Sequence, residues 1–349
     1  MPYLLHLFFF CLALSVNCQP SDTSRVIASG HMPVIAADER GTLHLVYGQD
    51  STIYYAVSNN QSTWAGRPVA VAVLPGLVAG AKRGPQLAVT GQYIVVTAVN
   101  RAGDVLAYSL DRRTGQWSPG VRVNDVPEIA KEGFQAVADA AADTFHATWL
   151  DLRDDKRNKI MMATSHDGGR TWSANRVVYR SPSGTVCECC NVSIAAKGKD
   201  IYIQFRNWLN GSRDLYLVHS ANNGKTFTPA QKLGSGTWKL NACPMDGGAV
   251  LLPPTGQPLT IWRRENTLYT CRPNEPEQAV ASGRNVTATV GPAGTALAWD
   301  EGGVVRVKLN ETQPVALGKG QKPSIALSNK SMACVWEVDG NVRLAIISQ

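Results

Sequence analysis

The 349-residue chain has little charge: 17% of its residues are Asp, Glu, Lys or Arg, and 7% are aromatic. No charge run, linker or low-complexity break divides it, so neither a disordered tail nor a second domain is indicated. Beyond one N-terminal run, no apolar stretch is long enough to cross a bilayer as a helix. A basic helix and an aromatic RNA-binding motif are also missing. The net charge of +7 and the pI near 9 therefore point to anionic small ligands or anionic surfaces, and exclude nucleic acid as the expected partner.

What the chain does have begins with Leu4 to Val16, an apolar run of about a dozen residues where a secretory h-region sits. Residues 1–18 are expected to be a signal segment and the protein to be exported to the periplasm, the cell surface or the medium. The n-region carries no Lys or Arg. Cys18 follows Leu14-Ser15-Val16-Asn17, which loosely resembles a lipoprotein cleavage site, so Cys18 is a candidate lipid anchor and the one expected membrane link. Residues 19–349, about 330 in number, suffice for one large domain. Abundant Gly, Val and Thr, with turn residues scattered evenly, fit many short strands.

The most informative stretch is Ser165-His166-Asp167-Gly168-Gly169-Arg170-Thr171-Trp172. Two glycines supply positive φ, the Asp167 carboxylate can accept from the turn's own amides, and Trp172 can cover the turn. Ser220 to Phe227 keeps the frame with Asn222 for Asp and Phe227 for Trp. Ser58 to Trp64 and Ser109 to Trp117 keep the serine, a polar turn and the closing tryptophan. Spacings of roughly 40 to 55 residues match a propeller of four-stranded blades.

The Ser165–Trp172 stretch resembles the Asp-box, Ser-x-Asp-x-Gly-x-Thr-Trp, of the sialidase-like β-propellers. The resemblance implies an all-β propeller, with six blades as in known sialidases. Counting from the residues prefers seven. Inner strands are expected at Pro33–Asp38, Pro85–Thr90, Phe134–Ala140, Cys190–Ala196, Gly247–Leu252, Val286–Val290 and Pro323–Ser328. The second strands run to Tyr47, Val99, Trp149, Phe205, Trp262, Trp299 and Trp336, most of them large rings suited to a blade core. Residues near Ser24 to Ala28 are expected to complete the last blade and leave no open edge.

In such blades the Asp-box joins the third and fourth strands. The other face carries the second-to-third turns and the inter-blade links, and in sialidases it holds the active site. On that face fall Arg101, Arg153, Arg206 and Arg263, each just after or at the end of a second strand. Guanidinium groups converging on a channel suit a carboxylate, sulfate or phosphate, so Arg153, Arg206 and Arg263 are candidate ligand-binding residues. His31 is expected at the same mouth. Trp208 can stack on a sugar face.

Sialidases use an arginine triad, a tyrosine nucleophile activated by a glutamate, and an aspartate as acid and base. This chain departs twice: His31-Met32-Pro33 stands where the family has Arg-Ile-Pro, and no tyrosine follows Tyr269. A carboxylate pair can still run a glycosidase. Asp151, Glu188 and Glu265 are the candidate catalytic acids, with Asp154 and Asp246 on the same face.

Cys187-Glu188-Cys189-Cys190 enters the fourth blade and Cys243-Pro244-Met245-Asp246 the fifth. Cys187, Cys189, Cys190 and Cys243 can form two disulfides, hold zinc or Cu(I) with Met245 as a thioether, or supply a redox or nucleophilic thiol. Cys271 and Cys334 are expected to be buried thiols or a further bridge, and His44 and His146 core histidines. The leading expectation is an exported propeller that binds an anionic carbohydrate, with glycoside hydrolysis as its activity if it is an enzyme. Its alternative is a non-catalytic scaffold or metal-binding propeller.

Overall fold

Short runs of β-branched and apolar residues, each ended by glycine or a polar turn, become seven antiparallel sheets in a computed structural model of the chain. It describes residues 24–59, 63–64, 67–254, 257–329 and 331–348; residues 1–18, expected to be a signal segment, and with them Cys18, lie outside these. Strands are the regular elements among the described residues. Among the described residues no helix is long and apolar enough to cross a membrane.

The inner strands are His31–Ala37, Gln86–Val89, Gln135–Asp139, Ser193–Lys197, Ala249–Leu251, Arg284–Gly291 and Gln321–Leu327. They touch one another in cyclic order and surround a central channel, and each leads outward into its own blade. The protein is thus a seven-bladed β-propeller. The count of seven holds, and the six blades implied by the sialidase resemblance do not. Blades 1 and 2 each carry one extra short strand.

The last blade takes its outer strand from the beginning of the chain: Arg25–Ser29 pairs antiparallel with Asn341–Ser348. This closes the ring between the two ends of the chain and removes the open edge. In every blade the aromatic or Val99 at the expected second-strand position is almost fully buried, because alternate residues of a strand share one face and that face meets the neighbouring blade. Trp149, Trp299 and Trp336 are among the largest fully buried side chains.

Three of the seven inter-blade links are single glycines: Gly30, Gly283 and Gly320. Each lies at positive φ against the next blade's ring; a Cβ on Gly320 would sit 2.2 Å from Trp336 Cδ1, and one on Gly283 2.6 Å from Trp299 Cδ1. Only glycine permits so tight a crossing. The other four links span residues 74–85, 123–134, 180–192 and 233–248. One face of the ring is consequently bare over blades 6 and 7 and built up with loops around blades 1 to 5.

The opposite face carries the Asp-box turn, which joins Lys159–Ser165 to Arg176–Tyr179. Asp167 Oδ1 accepts from the amides of Arg170 and Thr171 at 3.1 and 2.9 Å, and Oδ2 from the Thr171 hydroxyl at 2.6 Å. Ser165 Oγ donates to Asp167 and accepts from Gly169 N. In the second copy Asn222 takes the place of Asp167, accepting from Thr226 N at 3.0 Å.

Candidate functional site

The channel mouth is built by a device repeated in three blades. After Gly30, Gly283 and Gly320 the chain makes a bulge in which the second residue past the glycine, Met32, Asn285 or Lys322, has φ between 53° and 58°. That turn aims a backbone N–H at a carboxylate from a preceding part of the ring. Met32 N donates to Glu337 Oε2 at 3.3 Å, Asn285 N to Asp246 Oδ2 at 3.0 Å, and Lys322 N to Asp300 Oδ1 at 3.1 Å. Glu337 and Asp300 each directly follow the buried tryptophan of a second strand.

Cations from distant links join these acids. Lys82 Nζ lies 3.1 Å from Asp246 Oδ1, Arg263 Nε 2.9 Å from Asp246 Oδ2, and Lys322 Nζ 3.5 Å from Glu337 Oε2. Burial pushes Asp246 towards protonation, but the charges of Lys82, Arg263 and Arg206 outweigh it and hold the carboxyl below its usual range. Asp300, buried with weaker compensation from Asn285 and Lys322, is pushed up. Two neighbouring carboxyls are thus driven in opposite directions.

Arg206 and Arg263 are at this mouth, but mainly as fasteners. Arg206 donates to the carbonyls of Asp246, Arg213 and Arg263 at 3.0, 2.6 and 2.8 Å. Arg263 donates to the carbonyls of Glu265 and Pro244 and forms an ion pair with Asp246. Both guanidiniums lie 5.2 Å from the centre of the Trp238 ring. Behind them the channel holds a cavity of about 340 Å³, whose polar lining includes Lys82, Asn191, Asn285 and Lys322.

A sulfur group borders the mouth. Cys189 is bridged to Cys243, tying the link into blade 4 to the link into blade 5. Cys187 and Cys190 are free and buried, with Sγ atoms 2.7 Å apart, and Cys187 lies 3.8 Å from Cys189. The sulfurs of Cys187, Cys189 and Cys190 all lie within 4.8 Å of one another, a grouping that can hold a metal ion. Arg213 Nη1 donates to Cys187 Sγ at 3.0 Å, and Met245 packs on the group. Of the two disulfides considered, one is present. Cys271 and Cys334 are buried free thiols.

The remaining expected residues are more dispersed. Arg153 forms a fork to both oxygens of Asp151 at 2.8 and 2.9 Å and also contacts Asp125 and Asn175. Asp151 is fully buried beneath it and also accepts from Trp149 Nε1. Glu265 is exposed in a second-to-third turn. Glu188 lies 3.6 Å from Arg213, and its Oε2 is buried with no hydrogen-bond partner among the described residues. Burial raises Glu132, and the nearby Glu188 charge adds to the effect. Trp208 lies under Arg213, 4.8 Å from ring centre to guanidinium carbon, and His31 Nδ1 is 3.1 Å from Glu337. His44 and His146 are core residues, as expected.

Lys82, Asp300, Lys322, Glu337 and Glu132 escaped the sequence analysis. For three of them a signal existed: Gly-His-Met-Pro at 30–33 recurs as Gly-Gln-Lys-Pro at 320–323, and an acid directly follows Trp299 and Trp336. Lys82 and Glu132 lie in links with no repeat to mark them.

No family model matches the chain, and no curated protein matches it. Solved structures do. An ulvan lyase of a new polysaccharide lyase family, bound to -[GlcA(1-4)Rha3S]-, is 12% identical over 93% of this chain and 95% of its own, with a TM-score of 0.57. A mutant of the α-L-arabinofuranosidase from Fusarium graminearum, in complex with an iminosugar inhibitor, is 11% identical over 93% and 97%, with a TM-score of 0.53. The SapL1 lectin in complex with α-methyl fucoside is 12% identical over 83% and 97%, with a TM-score of 0.51. At these identities the likeness establishes the propeller fold.

Proposed function

We propose that the protein is an exported propeller that binds an anionic carbohydrate at its channel mouth. The observation that carries this reading is the meeting of Lys82 and Lys322 with Asn191 and Asn285 around one cavity of about 340 Å³. Ammonium groups attract a carboxylate or sulfate, and amides bond sugar hydroxyls. The mouth's cations, Lys82, Arg206, Arg263 and Lys322, outnumber its acids, Asp246, Asp300 and Glu337. Trp208 and His31 are the proposed rim contacts, with Arg206 and Arg263 holding the floor. The glycan-bound lyase and lectin of the same fold support the ligand class.

Hydrolysis is assigned to the Glu188 side of the mouth. A glycosidase needs one carboxyl kept protonated and one kept charged. Glu132, raised by burial, is the proposed acid and Glu188, with an unpartnered oxygen, the proposed charged partner. Asp151 has both oxygens engaged, and Glu265 stands in open solvent. Export rests on the apolar run at Leu4–Val16, and the Cys189–Cys243 bridge fits an oxidising compartment. Cys18 is the proposed lipid attachment point.

Calorimetric titration with a uronate-containing oligosaccharide and its carboxyl-reduced counterpart tests the binding. The acidic form alone should bind. Lys82→Met and Lys322→Met should each weaken it about tenfold, equivalent to ~1.4 kcal/mol, while Arg170→Ala on the far face leaves it unchanged. Unaltered affinity in both lysine variants for every anionic glycan tried would end the proposal. Release of reducing ends, abolished by Glu188→Gln, tests the hydrolysis. One observation favours the non-catalytic scaffold: the guanidiniums of Arg153, Arg206 and Arg263 are all engaged inside the protein. Intact binding without bond cleavage is the outcome that reading expects.

A further inference from the structure

The sulfur group offers chemistry that sugar binding does not use. Cys187 and Cys190 have the spacing C-x-x-C, and a third cysteine, Cys189, lies between them, already bridged to Cys243. Their burial differs. Cys187, Cys189 and Cys190 are enclosed, whereas Cys243 is exposed. A buried dithiol thus lies 3.8 Å behind a disulfide whose far sulfur faces solvent.

The local structure holds these atoms in place. Cys187 N donates to the Arg206 carbonyl at 3.0 Å, pinning the first cysteine to the second strand of blade 4. Arg213 Nη1 touches Cys187 Sγ at 3.0 Å and stands ready to stabilise a thiolate there. The Cys187 and Cys190 sulfurs lie 2.7 Å apart in hydrogen-bond contact, and Cys187 is 3.8 Å from Cys189.

We propose that Cys187, Cys189, Cys190 and Cys243 form a thiol–disulfide exchange centre in which the single disulfide migrates inward and releases Cys243 as an accessible thiol.

The steps balance without an external oxidant. Cys187 loses its proton to solvent, which leaves a thiolate beside Arg213. Cys187 Sγ attacks Cys189 Sγ; the Cys187–Cys189 bond forms, the Cys189–Cys243 bond breaks, and Cys243 leaves as a thiolate that takes a proton from solvent. Cys190, losing its proton, then attacks Cys187; the Cys187–Cys190 bond forms, and Cys189 leaves and takes up that proton. One disulfide and two thiols are present before and after. A disulfide-class oxidant, such as oxidised glutathione, would then meet a thiol at the surface and not a buried one.

The test treats the folded full-length protein with N-ethylmaleimide in the absence of reductant, followed by peptide mapping of labels and bridges. Time-dependent labelling of Cys243, in molecules that carry a Cys187–Cys190 bridge, is expected. Cys187→Ser removes the first attack and should abolish Cys243 labelling. Cys190→Ser should retain that labelling and halt at a Cys187–Cys189 bridge. A thermal melt checks that each variant folds, with Cys187→Ala as the substitute if the serine variant does not.

Cys243 that remains unlabelled in the parent protein, or labels equally fast in both Cys187 variants, overturns the proposal. Recovery of two bridges that reduced dithiothreitol cannot open without unfolding also overturns it. So does stoichiometric zinc or Cu(I) with all four thiols free after chelation, which would make the group a metal centre. The centre and the glycan site fail separately, since sugar titration does not read the position of the disulfide.

Discussion

Lys82 Nζ and Asp246 Oδ1 meet at 3.1 Å across 164 residues of sequence, one from the link after blade 1 and the other from the link before blade 5. Their contact spans the channel mouth and draws the two built-up sides of the face together. Asp246 also pairs with the Arg263 guanidinium and accepts from Asn285 N, so one buried carboxylate fixes three separate parts of the ring.

Removing that charge should be costly. Asp246→Asn leaves the cations of Lys82 and Arg263 without their buried counter-ion, and breaking such a pair typically costs about 3 to 5 kcal/mol. Denaturant unfolding should show a loss of that order, against less than ~0.5 kcal/mol for Asp154→Asn at an exposed ion pair. Equal stability of the two variants would show that the mouth is held by something else.

Stability should fall in mild acid. His44 and His146 are buried and neutral, and burial, the largest influence on each, depresses their pKa from the ordinary 6.5 to about 4. Asp38 partly opposes this at His44. Because the folded values lie below the unfolded ones, the unfolded chain binds more protons between pH 6.5 and 4. The contribution is present above pH 6.5 and is lost as pH falls towards 4, roughly 3 kcal/mol per histidine at most. Chemical unfolding across that range should show the decline, and His146→Leu should flatten it; a flat profile in the parent protein contradicts the assignment.

The Asp-box turn predicts a graded series. Asn at the equivalent place in the second copy keeps the amide acceptor and donates from Nδ2 to Thr226 Oγ1 at 2.8 Å. Asp167→Asn should therefore cost under ~1 kcal/mol, and Asp167→Ala about 2 kcal/mol through unsatisfied turn amides. Neither should alter glycan affinity, because the turn is on the far face. A change in affinity at unchanged stability would contradict that separation.

Gly320→Ala tests the single-glycine crossings. Its Cβ would strike the Trp336 ring at 2.2 Å, with backbone at φ +143°, whereas Gly302 has nothing within 4 Å of the same atom. Loss of more than about 3 kcal/mol at Gly320, against roughly 1 kcal/mol at Gly302, is the expected melting result. Similar losses at both would mean that positive φ alone decides.

Much of the fold was legible because its signals are local. Trp299 and Trp336 marked second strands, since a strand's alternating faces put every second residue into the blade core. Ser165 to Trp172 marked an outer turn, since its hydrogen bonds close within eight residues. The site was legible only in part. Arg206 and Arg263 reach the expected mouth, but their donors go to the carbonyls of residues as far as 57 positions away. Arg153 is taken by Asp151, two positions before it. A guanidinium announces its chemistry in the sequence, but not which acceptor will occupy it.

The sequence by itself determined the strand period, the blade count and the chemical inventory, because each follows from neighbours a few residues apart. Tertiary structure alone decided which groups share the mouth. Lys82, Asp246 and Asp300 come from the first, fifth and sixth parts of the ring, and Cys189 chose Cys243 over nearer partners. Such choices depend on closing the ring, where the gain from burying whole blades sets the positions and the polar contacts adapt to them.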